Sequence, residues 1–128
     1  MDQQIKQWLD YAAQDLGVAQ HLLEVYYPKP AEIICYHCQQ CAEKAIKAVI
    51  VALRCPGGIP KSHDLSFLLN QIHNHVAVPE SVSDEADTLT PYGTMARYPN
   101  EMQIEIHHAE KAVEYAEHIL NWASSTVC

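Results

Sequence analysis

Apolar positions recur along this chain at steps of three and four, the period of a helix with one buried face. In the first segment Ile5, Leu9, Ala12, Leu16, Ala19 and Leu23 fall on one stripe. The predicted helix stops at Tyr26-Tyr27-Pro28-Lys29-Pro30, where two prolines forbid a continuing turn. A second helix is predicted over Ala31–Arg54. Here Ile34, Cys38, Cys41, Ala45, Ala48 and Ala52 form one ridge, and Cys35, Ala42, Ile46, Val49 and Leu53 the next. Together they make an apolar arc about half the helix wide. The opposite side carries Gln40, Lys44, Lys47 and Arg54, and Cys55-Pro56-Gly57-Gly58-Ile59-Pro60 ends the helix.

A shorter helix follows, with Ser62 or Asp64 as cap and Leu65, Leu69, Ile72 and Val76 inward. Pro79 is placed in the first turn of a fourth helix that buries Val82, Ala86 and Leu89. Pro91 and Gly93 predict a kink near Tyr92, and Arg97-Tyr98-Pro99-Asn100 a connection. The last helix is predicted from Glu101 to Ser124, with Ala109, Val113, Ala116, Leu120 and Ala123 inward. No segment alternates as a strand would. The expected fold is all-α, a single domain over residues 1–128. It is an antiparallel up-and-down bundle of four or five helices, the three long ones surrounding the shorter pair.

Composition narrows the function. The chain has 128 residues, 48% of them hydrophobic, enough for a packed core and too many for a disordered chain. Sixteen acids against eight Lys and Arg give a net charge of −8, which excludes a free-standing polyanion binder. Yet between residues 41 and 61 Lys44, Lys47, Arg54 and Lys61 face one acid, Glu43. That local excess reads as a solvated polar face or as an anion site, in which Arg binds phosphate through two hydrogen bonds. Lys61-Ser62-His63-Asp64-Leu65 adds a helix start, and Asp64 doubles as its cap. Tyr92 and the Arg97-Tyr98-Pro99 turn offer aromatics beside a guanidinium, a pairing suited to base stacking. The bland reading has Arg97 bonding helix carbonyls.

No metal or cofactor is expected. Cys35, Cys38 and Cys41 sit on core ridges and read as small buried hydrophobes, with His37 pointing elsewhere. His73 and His75 diverge on a helix, as do His107 and His108, and His118 belongs to a solvated acidic face. The N-terminus has no basic region followed by an apolar run, and no stretch is long enough to span a membrane. The chain is expected to be cytoplasmic, its five cysteines reduced.

Several motifs, in order, resemble the HEPN domain family (higher eukaryotes and prokaryotes nucleotide-binding). They are Asp15-Leu16, then Cys38-Gln39-Gln40-Cys41-Ala42-Glu43-Lys44-Ala45-Ile46-Lys47-Ala48, then Lys61-Ser62-His63-Asp64-Leu65, Ala96-Arg97-Tyr98-Pro99 and Ala109-Glu110-Lys111-Ala112. The resemblance covers nearly the whole chain. It implies a helical bundle, a homodimer, and work beside a minimal nucleotidyltransferase, in some cases as a toxin–antitoxin pair.

One branch of that family contains metal-independent ribonucleases, in which Arg is followed at a short fixed spacing by His. This chain departs from it: nine residues separate Arg97 from His107, and eight separate Arg54 from His63. It is more similar to the Arg-Tyr-Pro branch. The expectation is a module that binds a nucleotide or a partner through Lys44, Lys47, Arg54, Lys61, His63, Tyr92, Arg97 and Tyr98. The alternatives are an endoribonuclease toxin acting on RNA through Arg97 and His107 across a dimer, and a scaffold for protein–protein contact.

Overall fold

A computed structural model describes residues 2–95 and 103–128. They form six helical segments and no strand: α1 (Gln3–Val25), α2 (Ala31–Ala52), α3 (Leu65–Asn70), α4 (Glu80–Leu89), α5 (Tyr92–Met95) and α6 (Ile106–Val127). The all-α expectation holds. Asp2 caps α1, its carboxylate accepting the Gln4 N–H at 2.7 Å. Trp8 of α1 meets Lys47 of α2, while Asp15 meets Lys44 and His37. The two helices therefore run antiparallel. Lys29–Ile33 and Ile104–Ile106 line one cavity, and Cys41 meets the Ala116 carbonyl further along. So α6 runs in the same sense as α2, as the second and fourth members of an up-and-down bundle do.

The core lies on α2. Ile34, Cys35, Cys38, Cys41, Ala42, Ala45, Ile46 and Val49 are all fully buried. But the half-apolar arc is a correction: Gln39, Glu43 and Lys47 are buried as well. Helices α1, α6 and α3 to α5 all pack on α2, so it has no solvated long face.

Helix ends differ from expectation for local reasons. α2 ends at Ala52, two residues early, because Arg54 takes φ +51°. The Arg54 N–H then bonds the Val51 carbonyl at 3.1 Å, and the Cys55 N–H bonds Ile50 at 3.3 Å. That paired closure is a Schellman motif, whose left-handed position glycine usually fills. α3 is only six residues long, capped by Asp64, whose Oδ1 accepts from the Ser66 and Phe67 N–H groups. Pro79 is the residue before α4 rather than within its first turn. α6 begins at Ile106, where Glu105 and His108 cap each other's backbone. Its buried ridge is Ala109, Ala112, Ala116, Ile119 and Ala123, with Val113 and Leu120 half-buried at its edge.

Candidate functional site

Gln39, Glu43 and Lys47 are spaced four apart on α2, so their side chains stack along one line. Glu43 is the hub. Its Oε2 accepts from Lys47 Nζ at 2.9 Å. Its Oε1 lies 2.8 Å from His63 Nδ1 and accepts from Gln39 Nε2 at 3.2 Å. Gln39, with no exposure, also donates to the His63 carbonyl at 3.0 Å and accepts from Gln40 at 2.8 Å. Every polar atom of this amide is thereby satisfied, as burial demands. Gly93 packs against the same amide so closely that a Cβ there would meet it at 2.7 Å.

Burial alone pushes the Glu43 carboxyl up, but the hydrogen bonds from Lys47, His63 and Gln39 and the Lys47 charge outweigh it. The group is held below the usual carboxylate range and stays ionised. A carboxylate only accepts, so His63 presents its Nδ1–H inward. Its side chain is 63% exposed, which leaves Nε2 as the outward nitrogen.

A second carboxylate repeats the arrangement between α1 and α2. Asp15 lies 2.5 Å from Lys44 Nζ and 2.9 Å from His37 Nδ1. Each carboxylate thus holds one lysine and one histidine.

This geometry corrects the basic stripe. Lys44 and Lys47 are not cations waiting for phosphate: α1 and the preceding turn of α2 bring Asp15 and Glu43 onto them, because a charge leaving water needs a partner. Lys47 is 8% exposed and also lies 5.7 Å from the centre of the Trp8 ring. Arg54 and Lys61 are exposed and have no carboxylate within ion-pair distance among the described residues. Tyr92, expected as a stacking surface, is buried instead, and burial pushes its hydroxyl up. Arg97 and Tyr98 lie outside the described residues. His107 is exposed, 3.4 Å from Glu105. The structure therefore joins Lys47 to His63 through Glu43, and leaves Arg54, Lys61 and His107 outside that network.

The cysteine reading holds: Cys35, Cys38, Cys41 and Cys55 are buried free thiols. Burial pushes the Cys35 and Cys41 thiols to about 12, and Cys38 higher still. No group of three potential ligands is arranged to hold a metal ion among the described residues. Two histidine expectations change. His118 bonds Glu85 of α4 at 2.6 Å instead of lying free on an acidic face. The rings of His107 and His108 approach to 4.0 Å rather than diverging. No described helix is long and apolar enough to cross a membrane.

Gln39 and Glu43 carry a signal in the sequence, the four-residue spacing of Gln39, Glu43 and Lys47 on one helix line. Asp15 had none beyond its charge, since only packing of α1 on α2 brings it to Lys44.

Comparison with known proteins agrees with this architecture. The chain is 31% identical over 102 residues to a Methanocaldococcus jannaschii protein named "Putative toxin MJ1304". That stretch is 73% of this chain and 62% of the relative, so the match spans less than two thirds of the relative's length. The crystal structure of TT1696 from Thermus thermophilus superposes with a TM-score of 0.85 at 26% identity, covering 98% of this chain and 99% of that one. ST0689, described as an archaeal HEPN homologue, gives 0.76 at 26% identity with full coverage of both chains. A HEPN domain protein from Thermotoga maritima gives 0.71 at 28%, covering 93% and 95%. The model of the HEPN domain matches residues 5–126, and the chain belongs to the HEPN domain family.

Proposed function

We propose that this chain is the HEPN component of a toxin-like two-component pair. In that reading it is a binding module that works as a homodimer beside a minimal nucleotidyltransferase. The observation that carries it is the exposed apolar end of the bundle. Tyr27 is 91% exposed, and Val25, Tyr26, Ile33 and Ile106 are exposed with it. Ile33 and Ile106 line one cavity of about 500 Å³ together with Pro30, Ala31 and Ile104, beside the charged Lys29, Glu32 and Glu105. Apolar surface gathered this way on a small domain suits a protein partner. The paired lysines support the same reading, since a face neutralised from within offers little to a polyanion. The relative named as a toxin supports the toxin-like part.

The test is co-expression with a minimal nucleotidyltransferase from the same genome. The two proteins are expected to co-purify. Combined Tyr27→Ser, Ile33→Ser and Ile106→Ser changes are expected to abolish that, with helix content retained. Co-purification untouched by the three changes would overturn the assignment of this surface.

A second reading, a metal-independent endoribonuclease, is favoured by His63. An exposed imidazole oriented by a buried carboxylate is the geometry of a general base. RNA cleavage by the purified protein, lost in His63→Ala or His107→Ala, supports it. Absence of cleavage removes it.

A further inference from the structure

Helices α3 and α4 border a cavity of about 190 Å³, lined by Ser66, Leu69, Asn70, His73, Ser83 and Asp87. Helical spacing supplies both sides of it. Ser66 and Asn70 stand four apart on α3. The His73 N–H bonds the Leu69 carbonyl at 3.1 Å, so the helical path carries His73 onto the same face. Ser83 and Asp87 stand four apart on α4. Leu69 is buried and is the one large apolar side chain of the lining. The Ser66 hydroxyl donates to Asp87 Oδ1 and ties the two helices together.

Polar side chains on the other helix seams find one another, as Gln39 with Glu43 and His118 with Glu85 do. Here Asn70, His73, Ser83 and Asp87 Oδ2 make no side-chain hydrogen bond among the described residues. With imidazole neutral, Asp87 is the one charged group of the lining. The field around it has the same sign. From Ser62 to Ala96 the chain carries Asp64, Glu80, Asp84, Glu85 and Asp87 and no Lys or Arg. Such a field repels an anion and draws in a cation. A metal ion does not fit, because no three potential ligands among the described residues are arranged to hold one. An ammonium does fit: it brings three N–H donors and no acceptor, and the unused oxygens of the lining are acceptors.

We propose that this cavity binds a small aliphatic amine, a primary ammonium carried on methylenes. The ammonium donates to Asp87 Oδ2, Asn70 Oδ1 and Ser83 Oγ, and the methylenes lie on Leu69. A second ammonium at the far end of the chain stays in the field of the surrounding acids, so a diamine binds more tightly than a monoamine. The bound amine bridges α3 and α4 and adds to the tie between Ser66 and Asp87. The site shares no residue with the apolar end around Tyr27, so it stands whether or not that end docks a partner.

The experiment is calorimetric titration of the full chain with putrescine, n-butylamine and n-butanol, in physiological salt and above the histidine range. Putrescine is expected to bind and to raise the melting temperature, butylamine to bind more weakly, and the uncharged alcohol not to bind. Asp87→Asn keeps the shape and an acceptor for Ser66, and is expected to lose at least tenfold in putrescine affinity. Glu80→Gln removes the same charge from the exposed first turn of α4, outside the cavity, and is expected to change affinity less than twofold. That pair separates a site from general attraction to an acidic surface, which salt screens. Asn70→Ala is expected to weaken putrescine binding with helix content unchanged. Absence of putrescine binding, equal losses in Asp87→Asn and Glu80→Gln, or butanol binding as tight as putrescine would each overturn the proposal.

Discussion

His63 Nδ1 sits 2.8 Å from Glu43 Oε1, joining a largely exposed ring to a carboxylate that the bundle buries. The same carboxylate holds Lys47 on its other oxygen. One acidic group on α2 thereby fixes the entry to α3 and neutralises a buried ammonium.

Removing that charge is expected to be expensive. Glu43→Gln leaves the Lys47 ammonium buried without its counter-charge, a change that costs about 3–5 kcal/mol in buried pairs. The measure is the denaturant midpoint. Glu43→Gln combined with Lys47→Met is expected to recover a large part of the loss, since the lone charge is gone.

Acid titrates the same pair. The Glu43 carboxyl in the folded chain is held below its unfolded value, by its hydrogen bonds working against burial. Its contribution is therefore complete above the unfolded carboxylate range and is lost as pH falls toward the folded value. Thermal unfolding followed from pH 6 down to pH 3 is expected to show falling stability, with a shallower fall in Glu43→Gln.

His118 works in the opposite direction. The hydrogen bond from its ring to Glu85 raises its affinity for a proton, against some desolvation, with Glu114 and Glu117 adding to the rise. The bridge between α4 and α6 thus stabilises fully below the unfolded histidine range and fades as pH rises through the folded value. The expected result is a melting temperature that falls from pH 6 to pH 8 in the native chain, and falls less in His118→Gln.

Gly93 is required for packing. A methyl there meets the fully buried Gln39 amide, which three hydrogen bonds hold in place. Gly93→Ala is expected to destabilise by about 1–3 kcal/mol, as overpacking does. In a Gln39→Ala background the same change is expected to cost less, a coupling that a double-mutant cycle reads directly.

Thiol chemistry checks the core. Cys35, Cys38, Cys41 and Cys55 are buried and Cys128 is exposed. Burial disfavours the thiolate at the first three, so they are poor nucleophiles. A colorimetric thiol reagent is expected to find one fast thiol in the folded protein and all five in denaturant.

The apolar ridges were legible because helical period maps directly onto which face is buried. Ala12, Ala19, Ile34, Cys38 and Val82 all lie where their spacing puts them. The basic stripe was misread because a wheel for α2 alone shows Lys44 and Lys47 as one polar face. It does not show that α1 covers that face and brings Asp15 to it. His63 stands out in the sequence as a helix-start histidine, but its carboxylate partner lies twenty positions earlier, so only the fold reveals the pair. Tyr92 was misassigned for the same reason, since the one-turn α5 carries it inward. The strain at Arg54 has no sequence signature: arginine after a long helix ordinarily just faces its carbonyls.

The most direct test of the binding-module account is hydrogen–deuterium exchange on the chain alone and with a minimal nucleotidyltransferase from the same genome. Added protection is predicted over residues 25–33 and at 104–106, the exposed apolar end around Tyr27, Ile33 and Ile106. No added protection, or protection confined to other segments, would contradict it.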